Sequence, residues 1–141
     1  MTATAKSVEL IQSMFDAFGR GDIEFITSRL TPDCRWMVPG EGIPAAGAYT
    51  GPEGAAAFFR KMAESEEMTR FEPKEYFTNG NDVVVLGLEE CRARATGRTA
   101  STNWAMLFRV RDGKVSHFET HFDTAAYVRA HAGAHLTASG G

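Results

Sequence analysis

The chain has 141 residues, 43% of them hydrophobic, and its 15 basic and 18 acidic residues leave a net charge of −3. That length suits one domain, able to bury roughly two-thirds of the surface its unfolded chain exposes. The mixed, slightly acidic charge argues against nucleic acid or an anionic membrane as a partner, and the lack of a long apolar run argues against a leader or membrane span, so a cytoplasmic location is expected.

From Ser7, "SVELIQSMFDAFGRGD" sets Val8, Ile11, Phe15 and Phe18 on one helical face, with Ser7 as cap and Gly19 and Gly21 as stops. Residues 1–6 then read as a tail and 7–132 as the domain. "DIEFITSRL" gives a short second helix capped by Asp22, and "PDCRWMVP" a brief strand. "PGEGIPAAGAYTGPEG" is too rich in glycine and proline for regular structure and reads as a functional loop. Pro52 opens a third helix carrying Phe58, Phe59 and Met62.

The period then changes. "RFEPKEYFT", "DVVVLGLEECRARA", "ASTNWAMLFRVR" and "KVSHFETHF" are four strands separated by NGN, TGR and RDGK turns. Asp123 or Thr124 caps a closing helix, and residues 133–141 read as a flexible tail. Helices first and a mostly antiparallel sheet second make the fold class α+β.

Alternation assigns the faces. In the last strand Phe118, Thr120 and Phe122 share one face, while His117, Glu119, His121 and Asp123 share the other. Burying each phenylalanine is worth roughly 2 kcal/mol, whereas each unpaired ionisable group would cost several to desolvate, so the phenylalanines are expected inside. Four alternate side chains on one strand stand about 6.5 to 7 Å apart and do not converge on one ion, so no metal is expected there. His131 and His135 are read as solvent-exposed.

In the central hairpin, a four-residue TGRT loop would place Trp104 opposite Cys91 and Met106 opposite Glu89. Glu89 is then the one carboxylate pointing into the apolar side, the place where burial raises a carboxyl pKa and makes a proton carrier. A structural glutamate, paired or hydrogen-bonded, is the competing reading. Glu41 could reach the mouth from the loop, where Trp36 and Tyr49 could stack on a ligand. Val84, Leu86 and Leu88 face the other way, as a covered or dimer-forming surface would.

The runs "RWMVPGEGIPAAGAYTGPEGAAAFF", "FGRGDIEFI" and "TGRTASTNWAMLFRVRDGKVSHFETHFDTAAY" resemble the SnoaL-like and ketosteroid-isomerase-like branch of the nuclear transport factor 2-like superfamily, over residues 7 to 130. The resemblance implies a cone-shaped fold whose curved sheet wraps the N-terminal helices around an apolar pocket, and a homodimer through the outer sheet face. The places where ketosteroid isomerases hold their tyrosine and two aspartates look like Met14, Met106 and Val38, all apolar here. The last-strand acid of epoxide-hydrolase-like members falls on Thr120. The expected function is cofactor-free binding of a small, mostly apolar molecule by Trp36, Val38, Tyr49, Cys91, Trp104, Met106, Phe118, Thr120 and Phe122, with Glu89 as acid or base if a reaction occurs. The alternative is a non-catalytic ligand carrier or dimerisation module.

Overall fold

The computed structural model describes residues 2–140, with side chains described through residue 132. Helix α1 (Ala3–Arg20) begins earlier than the sequence suggests, because the Thr2 side chain, not that of Ser7, accepts the capping bond from the Ala5 N–H at 3.0 Å. Residues 3–6 are therefore helix, and Ser7 is buried, its hydroxyl 3.3 Å from Asn81 Oδ1. Gly21, at φ 74°, closes the helix in the left-handed conformation. Helix α2 (Ile23–Ser28) is capped by Asp22, whose carboxylate accepts from the Phe25 N–H.

Strand β1 (Leu30–Val38) follows at once, starting two residues before the expected Pro32. The glycine- and proline-rich stretch is not wholly irregular: Gly47–Thr50 form a short edge strand, β2, antiparallel to the end of β1. Helix α3 (Gly51–Ser65) then leads directly into the long β3 (Glu66–Asn79), followed by β4 (Asp82–Ala93), β5 (Thr99–Arg111) and β6 (Lys114–Phe122). Helix α4 (Thr124–Gly140) closes the chain, its first turn capped by Asp123, which accepts from the Ala126 N–H at 3.2 Å. The reading of 133–141 as a tail and of His135 as an exposed histidine falls on side chains outside the described residues.

The sheet order is β2-β1-β6-β5-β4-β3, antiparallel throughout except for the parallel pair β1 and β6. This is the α+β architecture expected from the element order. The inner face packs on α1, α2 and α3 around Ile11, Met14, Trp36, Phe58 and Phe108. A second apolar cluster joins α4 to the sheet through Ile43, Cys91, Ala100, Tyr127 and Ala130. No helix among the described residues is long and apolar enough to cross a membrane.

The β4–β5 register differs from the expected one. Ala93 N–H donates to Arg98 O at 2.8 Å and closes a four-residue loop at Arg94–Gly97, two residues earlier than expected, so Cys91 faces Ala100, Glu89 faces Thr102 and Trp104 faces Gly87. The displacement is even, so every side chain keeps its face. Gly87 matters here: a Cβ at this position would stand 2.5 Å from Glu72 O and 2.6 Å from Trp104 Cη2. Gly87→Ala is expected to destabilise the fold by about 1–3 kcal/mol through overpacking, measurable by urea denaturation.

Candidate functional site

The inner face of the sheet, the three N-terminal helices, the loop before β2 and Tyr127 of α4 border a cavity of about 110 Å³. Its wall is built by alternation. Trp36 and Val38 from β1, Met106 and Phe108 from β5, and Phe118, Thr120 and Phe122 from β6 all line it. Trp36 and Phe118 stack with centroids 3.9 Å apart, which fixes the indole against the sheet. The Trp36 Nε1–H is buried and has no acceptor among the described residues. Four of the six methionines, Met14, Met62, Met68 and Met106, complete the wall with side chains that adapt to what they touch.

Three expected ligand contacts lie elsewhere. Trp104 stacks on Phe71 (centroids 5.2 Å apart) and packs against Phe15, because its partner across the hairpin is Gly87 and the indole fills that gap. Tyr49 turns back along its own loop, its hydroxyl donating to Ala45 O at 2.8 Å while its ring packs on Phe58. Cys91 belongs to the α4 cluster. Glu41 is exposed and does not line the cavity.

Glu89 reaches the cavity wall, and it is not alone there. Glu66, 7% exposed, lines the same cavity. Sequence reading missed it because α3 passes into β3 with no intervening loop, so the strand seemed to begin later. Around the two acids the structure gathers Cys91, Tyr127 and His131. The Tyr127 hydroxyl is hydrogen-bonded to Glu89 Oε2. Cys91 Sγ donates to Glu66 Oε2 at 3.0 Å, and His131 Nε2 lies 3.6 Å from Glu66 Oε1. His131 is thus not the solvent-exposed histidine expected: its side chain is 9% exposed, since its turn of α4 packs onto the sheet.

The electrostatics follow from this crowding. Burial pushes the Glu89 carboxyl up to about 7, the nearby Glu66 charge adds to the rise, and the Tyr127 hydrogen bond opposes it. Burial also raises Tyr127, helped by Glu89, and raises the Cys91 thiol, helped by its bond to Glu66. Glu89 is therefore a carboxylic acid poised to change charge near neutrality, in a wall otherwise almost wholly apolar.

The histidine-rich stretch of β6 lies on the opposite face. His117 Nε2 and His121 Nε2 stand 2.8 and 2.5 Å from the two oxygens of Glu119, and these bonds hold its carboxyl below the usual range. The two imidazoles grip different oxygens of one carboxylate, and Asp123 is turned to its capping role.

A model of the SnoaL-like domain matches residues 11–118. The chain belongs to the SnoaL-like family. A nuclear transport factor 2-like protein of Burkholderia xenovorans is 34% identical, superposes with a TM-score of 0.82, and is matched over 90% of this chain and 96% of its own. TerC, crystallised with polyporic acid, is 30% identical, with a TM-score of 0.79 and coverage of 89% and 97%. An uncharacterised protein of Mycobacterium tuberculosis is 28% identical over 120 residues, 84% of this chain and 91% of that one. Within this SnoaL-like domain, Met14, Val38 and Met106, the places where the family resemblance puts the catalytic groups of ketosteroid isomerases, all line the cavity and carry no polar chemistry.

The sign of the pH dependence follows from Glu89. A carboxyl whose folded pKa lies above its unfolded value, about 4.5, stabilises the fold most below that value and loses the contribution as pH rises to about 7. Wild-type stability to urea is expected to fall by at most roughly 3 kcal/mol over that window. Glu89→Gln, neutral throughout, is expected to flatten this decline. Tyr127→Phe, which removes the one bond that lowers Glu89, is expected to extend it to higher pH.

Proposed function

We propose that this SnoaL-like domain binds a small, mostly apolar and aromatic molecule in the interior cavity and uses Glu89 as a proton-carrying group toward it. The observation that carries the reading is the Glu89 carboxyl set in a mostly apolar cavity wall and hydrogen-bonded to Tyr127, where burial pushes it up to about 7. The unpartnered Trp36 N–H supports it, because a ligand oxygen would satisfy that donor. An engineered cavity of about 150 Å³ holds a benzene ring, so the present cavity of about 110 Å³ takes a ring only as its methionine wall yields. The co-crystals of TerC with polyporic acid support an aromatic ligand of this kind. No cofactor is invoked: a carboxyl that gives and takes one proton suffices for isomerisation or cyclisation.

Polyporic acid is the probe. Added to the protein at pH 6, it is expected to quench tryptophan fluorescence with saturation, in the wild type and in Trp104→Phe alike, and the affinity is expected to fall as pH passes 7. In Glu89→Gln that extra pH dependence is expected to vanish. Absence of saturable quenching at any pH from 5 to about 8, across the interval where Glu89 titrates, rejects the reading.

A second reading is a carrier without turnover, favoured by the apolar residues at Met14, Val38 and Met106. Mass spectrometry of the probe after incubation separates the two, since a carrier returns it unchanged.

We further propose that the outer sheet face pairs with a second copy of the chain. Val84 is paired with Leu107 and Leu86 with Ala105 on that face, and Leu86 is 37% exposed. Leu86→Arg is expected to convert a dimer into a monomer in light scattering after gel filtration. A monomeric wild type at micromolar concentration would discard this pairing.

A further inference from the structure

Trp36 brings to the cavity wall a buried donor that no group of the protein satisfies. The residue is 4% exposed, and its Nε1–H has no acceptor among the described residues. Its aromatic neighbours hold it firmly: Phe118 stacks on the indole with centroids 3.9 Å apart, and Phe58 and Phe59 lie tilted against it at 6.0 and 5.6 Å. Rings offer an N–H at most a weak π contact, so this packing fixes the indole without meeting its hydrogen bond. A donor in that state has lost its hydration and gained nothing in return. Phenylalanine would fill the same aromatic cluster free of that cost. Trp104 has an unpartnered N–H as well, but it packs over Gly87 and against Phe71 and does not line the cavity. Trp36 does.

We propose that the Trp36 N–H is the specificity-determining donor of the cavity and holds the carbonyl oxygen of an aromatic or conjugated ketone or quinone. The inference rests on the reading of the cavity as a ligand site and names the oxygen that its ligand carries. An indole N–H only donates, so its partner is an acceptor. The wall beside it is Val38, Phe58 and Phe118, where a carboxylate would give up its hydration for one neutral hydrogen bond, so the acceptor is uncharged. The rings that hold the indole favour a flat body next to it.

This oxygen is not the atom that meets Glu89. In the sheet Trp36 shares a row with Phe118, Phe108 and Val83, whereas Glu89 lies six residues beyond Val83 along β4. Acceptor and proton therefore belong to different ends of the ligand. Thr120, two residues beyond Phe118 on β6, also lines the wall, and its hydroxyl is the competitor for the same oxygen.

The test uses two probes of matched shape, acetophenone and α-methylstyrene, which differ by exchange of C=O for C=CH2. The full chain, labelled with ¹⁵N and with ¹³C in its methionine methyls, is titrated with each and followed by NMR. Shifts of the Met14, Met62, Met68 and Met106 methyls report occupancy of the cavity they line. The two indole N–H signals, assigned with Trp104→Phe, report the hydrogen bond. Acetophenone is expected to bind about 3- to 10-fold more tightly, the worth of one neutral hydrogen bond, and to move the Trp36 indole proton downfield while that of Trp104 stays. In Trp36→Phe the two affinities are expected to converge. Equal affinities in the wild type overturn the assignment. So does a preference that survives Trp36→Phe and vanishes in Thr120→Val, which would make Thr120 the donor. Should Trp36→Phe not fold, the wild-type signal decides: a Trp36 proton that stays while the methionine methyls move overturns the assignment. In each of these failures the moving methyls leave cavity binding intact, whereas methyls that move with neither probe remove both the donor role and the ligand site.

Discussion

A cavity walled by hydrocarbon tolerates an ionisable group only where other polar groups satisfy it. The SnoaL-like domain meets this constraint by gathering the ionisable groups of its cavity wall in one corner, where β3, β4 and the closing helix meet. Glu66, Glu89, Cys91, Tyr127 and His131 hold one another there. Elsewhere the interior is mostly aromatic and aliphatic, with Phe15 in ring contact with Phe71, Trp104 and Phe108. The exclusion of water that stabilises this packing also lowers the local dielectric and lifts the Glu89 carboxyl toward neutrality. Core and chemistry therefore have a common physical origin.

The strand faces were legible because alternation is local. Phe118 and Thr120 point inward and His117 and His121 outward, as the desolvation argument requires, and Glu89 kept its inward direction even though the hairpin register was displaced. That register depends on which four residues turn: the loop forms at Arg94–Gly97, with Gly97 at φ 74°, rather than at Thr96–Thr99. Trp104 illustrates the consequence: its face was legible, but its neighbour was not. Glu66 was hidden by a helix running straight into a strand, where neither a breaker nor a change of composition marks the boundary.

Tyr127 and His131 were hidden for a different reason. They stand on a helix whose pattern gives no strong apolar stripe, and only tertiary docking onto Cys91 and Ala100 decides that they point inward. The hydrogen bond from Thr96 to Ala130 O at 2.7 Å ties that helix to the β4–β5 loop and fixes its rotation. Family resemblance directed attention to Met14, Val38 and Met106 in the same cavity, while the polar groups are clustered elsewhere on its wall. Fold and chemistry thus rest on different observations along this chain: the scaffold is shared with the relatives, and the chemistry is read from the residues of the ionisable corner.

The parallel pairing of β1 with β6 joins the first long strand to the last. β6 lies between β1 and β5, so the β1–β2 pair remains detached from the other strands until residue 114 and those after it have left the ribosome. Such distant contacts slow assembly and leave a nascent chain with an unprotected strand border for most of its synthesis. Truncation before β6 would therefore yield two fragments of sheet with no seam between them, rather than a smaller version of the same domain.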